Sequence, residues 1–403
     1  MSNTFKFGNG KWATGQGSVL AYNDENNNFK PLPFNFTRAS SATRVNENGL
    51  IEVAGSNEPR IDYLNNTDGH LLLEPSRTNS LLQSNKFDTT WIAFNATNTS
   101  NQIGVGGSSD AWLLNKSAAN GRVVQNLSLN GVQSFSLYAK AGSLNWLKIQ
   151  GYDGSVFYSC YFDLVNGAIG TETNLIDSSI DSLGSGWYRC SISFNCNNQL
   201  IYIYPADGDN NTSGASGSIY IQYSQLETGS YATSYIPTSG SSVTRAAETL
   251  KQANMPDIFN RSAMSMYMEI EALAADSSNR EITINDVTST DRFVLKYTTS
   301  NTINVFTISS LGSTGYSIAT TADNPSIDQF NKIGVSFNSS IGYLYVNGTE
   351  IGSDTITNVI GDDLTKISFA NAPVNNNYFY GKIKSLQIYN TALTDSELQA
   401  LTS

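Results

Sequence analysis

The stretch Met264-Ser265-Met266-Tyr267-Met268-Glu269-Ile270-Glu271 places an apolar side chain at every second position. Period-two alternation marks a strand buried on one face. Met264, Met266, Met268 and Ile270 point to a core, while Ser265, Tyr267, Glu269 and Glu271 point away from it. Downstream, 280–284, 292–297, 302–308, 332–337, 342–346, 366–369 and 382–389 read as further strands, and Asn347-Gly348 is the strongest two-residue hairpin signal in the chain. Upstream, 134–139, 144–150, 156–162, 188–194, 200–204 and 218–223 read the same way. In 200–204, Ile201 and Ile203 face one way and Tyr202 and Tyr204 the other. One short helix is expected at the end, where Thr394-Asp395-Ser396-Glu397 fits a capping box ahead of Leu398 and Leu401.

Many short strands with no helical periodicity between them predict an all-β chain of sandwich or jelly-roll type. At 403 residues it suits two or three domains. Residues 81–245 and 246–403 each predict a sandwich, joined through a Pro/Gly/Ser linker at 237–242. Residues 1–80 are rich in Gly, Asn and Pro, with short β-like stretches at 18–22 and 49–53 and turns at Asn48-Gly49 and Asp68-Gly69. So little apolar material predicts a region that folds against a neighbouring domain, another copy or a larger assembly. Val243-Thr244-Arg245-Ala246 echoes Phe36-Thr37-Arg38-Ala39, as two equivalent strand entries would.

Only 14% of the residues are charged, well under the roughly 25% usual for soluble domains. Tyr (21) and Phe (18) are plentiful, which favours sheet. A net charge of -11 argues against nucleic acid, whose phosphates require clustered Lys and Arg. No apolar run is long enough to span a membrane, and the N-terminal residues lack a basic region followed by an apolar stretch. Synthesis in a cytoplasm without a signal peptide is the expectation. Cys160, Cys190 and Cys196 are odd in number and irregular in spacing, which favours free thiols; a bridge between Cys190 and Cys196 across a hairpin is the competing reading.

Candidate chemistry is sparse. His70 is the only histidine, beside Asp68-Gly69, and reads as a turn or core-edge residue rather than a triad member. Glu269 and Glu271 share a strand face about 7 Å apart, and a solvated face is the plain reading. No catalytic residue is assigned. Asp207, Asp209 and Asn211 make half of a calcium-loop pattern, with Thr212 where the loop glycine belongs and Ser218 where its bidentate Glu belongs. No cofactor is expected; calcium in this loop competes with a plain polar loop. For carbohydrate, Tyr202 and Tyr204 share a face next to Asn210, so that rings meet a sugar's C–H face and the amide its hydroxyls. Cross-strand packing is the plain alternative for these tyrosines. Trp91, Trp112, Trp146 and Trp187 read as core.

Two resemblances extend this reading. Ile333-Gly334-Val335-Ser336-Phe337, Gly342-Tyr343-Leu344-Tyr345-Val346-Asn347-Gly348 and the closing Gly381-Lys382-Ile383-Lys384-Ser385-Leu386-Gln387-Ile388-Tyr389, followed by Ala392-Leu393-Thr394-Asp395-Ser396-Glu397-Leu398, resemble the laminin-G and concanavalin-A-like jelly rolls. That family includes lectins, adhesion modules, spacers and some glycanases, so the resemblance speaks to fold more than function. The glucanase pattern Glu-x-Asp-x-x-Glu is absent. Phe36-Thr37-Arg38-Ala39-Ser40-Ser41-Ala42-Thr43-Arg44-Val45, Pro59-Arg60-Ile61-Asp62-Tyr63 and Leu71-Leu72-Leu73-Glu74-Pro75-Ser76-Arg77-Thr78-Asn79 resemble a segment of bacteriophage fibre and tail proteins that precedes a carbohydrate-binding-module-like sandwich. Gln225-Leu226-Glu227-Thr228-Gly229 and Thr233-Ser234-Tyr235-Ile236-Pro237-Thr238 fit the same family. This resemblance implies a virion protein, a head or tail fibre or decoration protein and commonly a homotrimer. Residues 1–80 would dock it to other virion proteins, and its jelly rolls would face host or environmental glycans. A surface or secreted glycan-binding adhesin, and then a glycan-degrading enzyme, are the alternatives.

Overall fold

A computed structural model describes residues 5–13, 19–197, 200–251, 255, 258–286, 291–309, 314–357, 364–372, 374 and 376–403. Among these residues the fold is all-β apart from one helix, Asp395–Thr402, capped by Thr394 and Glu397 as its capping box requires. Among the described residues no helix is long and apolar enough to cross a membrane. Twelve of the sixteen described non-glycine residues with positive φ are asparagines, including Asn347 of the expected hairpin between Ile341–Val346 and Thr349–Thr355. Asparagine tolerates the left-handed region, which accounts for its abundance in the tight turns of this chain.

Two sandwiches form. In the first, the sheet running Ile92–Phe94, Arg122–Asn126, Leu200–Ala206, Trp146–Tyr152, Phe157–Asp163, Ala168–Thr173 faces a second six-stranded sheet built around Asn130–Ala141 and Trp187–Asn197. Between them lie Leu147, Ile149, Cys160, Phe162, Ile201 and Ile203, with Phe135, Leu137, Ile192 and Ile221 from the facing sheet. Cys190 and Cys196 both lie within Trp187–Asn197, which is one continuous strand and not a hairpin. Six residues of strand separate them by about 20 Å, so the bridge reading is incorrect: Cys160, Cys190 and Cys196 are buried thiols.

The second sandwich is assembled from both ends of the sequence. Met264–Ala272 is central, with Met264, Met266, Met268 and Ile270 in the core as the alternation predicts. It pairs on one side with Asn331–Phe337 and on the other with Gly381–Tyr389. Gly381–Tyr389 in turn pairs with His70–Leu73 and Phe5–Gly8. On the opposite sheet Asn35–Thr37 pairs with Thr249–Lys251. Phe7, Trp12, Leu20, Leu32, Phe36, Ile61, Leu71 and Leu73 therefore complete one core with the C-terminal strands. The neighbouring domain is what the apolar-poor first 80 residues fold against.

The first sandwich leaves and rejoins this body through a two-stranded neck, where Arg77–Asn79 pairs with Val243–Arg245. At the neck lies a buried charge network. Glu248 accepts from Arg38 at 2.6 Å and from Arg60 Nε at 2.8 Å. Arg60 reaches on to Glu74 at 2.7 Å, and Arg245 meets Glu74 at 2.8 Å. All five side chains are buried. The echoed Thr-Arg-Ala segments thus deliver Arg38 and Arg245 to the two ends of one network. Burial alone would raise the Glu74 carboxyl; the Arg245 and Arg60 guanidiniums, with the donors of Ser234, hold it well below the usual carboxylate range.

His70 begins a strand and is not in a turn. It is buried on the wall of a polar cavity of about 220 Å³ between the sandwiches, alongside Asp62, Glu74, Tyr138 and Arg189. Burial, then the Lys382 and Lys384 ammoniums, push its pKa well below the ordinary value.

Two outcomes are expected. Glu248→Ala leaves Arg38 and Arg60 buried without this carboxylate, and denaturant unfolding followed by tryptophan fluorescence should show a loss of about 3–5 kcal/mol. A loss below about 1 kcal/mol would contradict the network's role. The imidazole resonance of His70 should stay flat from about pH 7.5 to 5.5. Because the folded state resists the proton that the unfolded state accepts, stability is full above the ordinary histidine pKa and falls as pH drops below it.

Candidate functional site

The first sandwich turns one sheet face outward. Alternation fixes its occupants: with Leu147 and Ile149 inward, Trp146, Lys148, Gln150 and Tyr152 face out, and with Ile201 and Ile203 inward, Tyr202 and Tyr204 do. Register then sets the neighbours. Lys148 lies opposite Tyr204 on one side and Tyr161 on the other; Gln150 lies opposite Tyr202 and Ser159. On the next strands Tyr202 faces Val124, and Arg122 faces Phe94. Across the sheet runs a row that alternates ring and cation: Phe94, Arg122, Tyr204, Lys148, Tyr161.

The distances support this row. The Arg122 guanidinium lies 5.0 Å from the Phe94 ring centre, 5.5 Å from Tyr202 and 5.7 Å from Tyr204. The Lys148 ammonium lies 5.4 Å from Tyr204 and 5.1 Å from Tyr161. These separations fall in the cation–π range, where a desolvated contact contributes about 2 kcal/mol. Tyr202 and Tyr204 stack at 6.0 Å. Tyr204 is only 8% exposed, whereas Tyr202 is half-buried and Phe94 exposed. Burial pushes the Tyr204 hydroxyl up to about 12 against the opposing pull of Arg122, and burial lowers the Lys148 ammonium. Among the described residues neither cation has a carboxylate partner. Arg122 donates to the Asn120 carbonyl through Nη1, and its buried Nε has no partner.

The loop 207–211 closes one end of this face. Asp207 accepts from the fully buried Lys116 at 3.3 Å, from the Asn211 amide at 3.0 Å and from the Ala215 N–H. Asp209 turns instead to Thr171, taking its backbone N–H at 2.7 Å and its hydroxyl at 2.9 Å. Asn211 Oδ1 accepts from Ser213. The three oxygen-bearing side chains thus serve three different sets of donors. Among the described residues no group of three or more His, Cys, Asp or Glu side chains is arranged to hold a metal. Asn210 sits exposed at the loop tip with φ 53°. No hydrogen bond joins it to either tyrosine among the described residues. Gly170 lets the loop dock, since a Cβ there would meet Asp209 Oδ1 at 2.5 Å and the Trp146 ring at 2.6 Å.

Trp146 corrects the expectation of four core tryptophans: it is half-buried on this outer face, while Trp91, Trp112 and Trp187 are buried. Arg122 and Lys148 were not singled out by sequence. The signal for Lys148 was its outward position between Leu147 and Ile149; Arg122 required the strand register. On the second sandwich Glu269 and Glu271 face Lys384 and Lys382, the former at 3.4 Å. They form ion pairs there.

Residues 243–399 match the concanavalin A-like lectin/glucanases superfamily. The concanavalin A-like region therefore covers the C-terminal strands of the second sandwich, beginning at the neck. No curated protein matches the chain. Among solved structures, the CBM40 domain of Ruminococcus gnavus IT-sialidase is similar at 15% identity and TM-score 0.31, over 36% of this chain and 84% of that one. The binding domain of Paraclostridial Mosquitocidal Protein 1 is similar at 20% identity and TM-score 0.29, over 39% and 43%. A heptameric SAP-like pentraxin from Limulus polyphemus is similar at 13% identity and TM-score 0.29, over 38% and 72%.

The burial of Lys148 carries a direct expectation. In an NMR titration of the lysine side chains it should lose its proton at lower pH than the surface lysines; titration with them would refute its desolvated setting.

Proposed function

We propose that this protein is a glycan-binding structural component of a bacteriophage particle, and that its binding surface is the outer aromatic and cationic face of the first sandwich. The observation that carries the binding reading is the row Phe94, Arg122, Tyr204, Lys148, Tyr161 with Tyr202 beside it. Rings and hydrogen-bond donors side by side on a rigid sheet are what saccharide recognition uses. The concanavalin A-like match is consistent with a lectin-type role. The virion reading rests on the resemblance of 36–79 and 225–238 to phage fibre segments. In it the first 80 residues, with the second sandwich they help to build, attach the protein to the particle as a trimer, and the first sandwich projects.

A glycan array probed with the full chain should give hits that Tyr202→Ala weakens at least tenfold; the absence of any hit would overturn the binding reading. Mass spectrometry of purified particles of the source phage should find the chain at many copies; its absence would overturn the virion reading.

A further inference from the structure

The geometry points to an acidic saccharide, carboxylated or sulfated, as the ligand of the outer face of the first sandwich, with Arg122 and Lys148 receiving its anionic groups. This rests on the glycan-binding reading above and adds the charge of the ligand to it.

The chain matches several of its buried cations to carboxylates. It carries 23 basic residues against 34 acidic ones. Arg38, Arg60 and Arg245 are matched to Glu248 and Glu74, Lys116 to Asp207, and Lys382 and Lys384 to Glu271 and Glu269. Among the described residues Arg77 and Arg189 also form no ion pair with a carboxylate, but each lies singly against a tyrosine ring, 5.2 Å from Tyr231 and 5.8 Å from Tyr138, whereas Arg122 and Lys148 stand together. They sit on neighbouring rungs of one face, both half-buried, and only Tyr204 separates them along their row. Acidic groups near this face are engaged elsewhere: Asp163 accepts from the Val165 and Asn166 N–H groups, Asp207 from Lys116 and Asp209 from Thr171. Two adjacent, partly desolvated positive charges without an anion are costly in a purely structural sheet face, where a neutral side chain would pack as well. An external anion removes that cost.

The same groups favour a saccharide over another anion. The guanidinium and ammonium lie against ring faces, so the rings orient the cations and leave their outward N–H bonds for a ligand. Tyr202 and Trp146 remain half-buried at opposite ends of the patch, as flanking surfaces for sugar rings. A nucleic acid would also stack and pair its phosphates, but a backbone with a phosphate at every nucleotide requires a track of clustered Lys and Arg, and this row offers two cations in a chain of net charge -11.

The test uses the full chain in calorimetric titrations with polygalacturonate, chondroitin sulfate, neutral dextran and a single-stranded oligonucleotide, at about 20 and about 300 mM salt. Binding to one or both acidic saccharides is expected, weakened by salt, with dextran bound at least tenfold more weakly. Binding to polygalacturonate assigns a carboxylate, and binding to chondroitin sulfate that is lost with desulfated chondroitin, which keeps its uronate carboxylates, assigns a sulfate. Arg122→Gln and Lys148→Gln should each lower that affinity at least tenfold, about the worth of one charge-assisted hydrogen bond. Lys148→Arg should retain it, which separates lost charge from lost fold. Dextran bound as well as the acidic saccharides, and unaffected by either Gln variant, would overturn the inference while leaving glycan binding intact. Failure to bind any saccharide, in these titrations and on the array, would overturn both. Preference for the oligonucleotide would overturn the inference in favour of a nucleic-acid site.

Discussion

The pairing of Glu74 and Glu248 with three buried arginines governs how the rest of the chain is arranged. Each member comes from a different segment: Arg38 follows the strand Asn35–Thr37, Arg60 begins Arg60–Asp62, Glu74 follows His70–Leu73, Arg245 ends Val243–Arg245 and Glu248 precedes Thr249–Lys251. A charge held away from water is tolerated only where its partner stands. The five segments therefore have to meet, and when they do the N-terminal strands are committed to the second sandwich and the neck of the first is closed. Hydrophobic burial is non-directional and would accept several alignments of these strands. The ion network does not, since sliding any one strand by a residue would turn its charged side chain to the opposite face.

This also accounts for what was legible in the sequence. Local pattern was: the strand Arg292–Tyr297 has the bounds read for it, Asn347-Gly348 makes its hairpin, and Thr394 caps the helix. Each depends on residues within a few positions of one another. The neck was not legible, because Arg77–Asn79 and Val243–Arg245 pair across a whole sandwich and neither strand is longer than three residues. The Thr-Arg-Ala echo hinted at equivalence without saying that its arginines converge. The candidate site divides along the same line. Tyr202 and Tyr204 share a face by alternation alone, but their neighbours Arg122 and Lys148 come from other strands, and only register brings them alongside. In the acidic loop the spacing of Asp207, Asp209 and Asn211 was visible, while the buried Lys116 that pairs with Asp207 was not.

The two sandwiches handle outward-facing charge differently, and the difference bears on where a ligand is received. On the second, Glu271 stands opposite Lys382 in the ladder and Glu269 meets Lys384, so charge is balanced within the sheet. The terminal helix then covers Tyr345 and Tyr389 beside them, with Leu398 fully buried. That face is complete as it stands. On the first, rings stand where carboxylates would be. A ring stabilises a cation through its quadrupole but does not neutralise it, so the positive potential persists at the surface. The ring faces that a sugar would stack on are at the same time partly taken by Arg122 and Lys148. In the proposed glycan-binding role, recognition on this face would fall to the cations, with the aromatic rings holding them in place, and affinity would come from charge-assisted hydrogen bonds more than from stacking on Tyr204. The tyrosines would then be supports of the proposed site, and its chemistry would lie in Arg122 and Lys148.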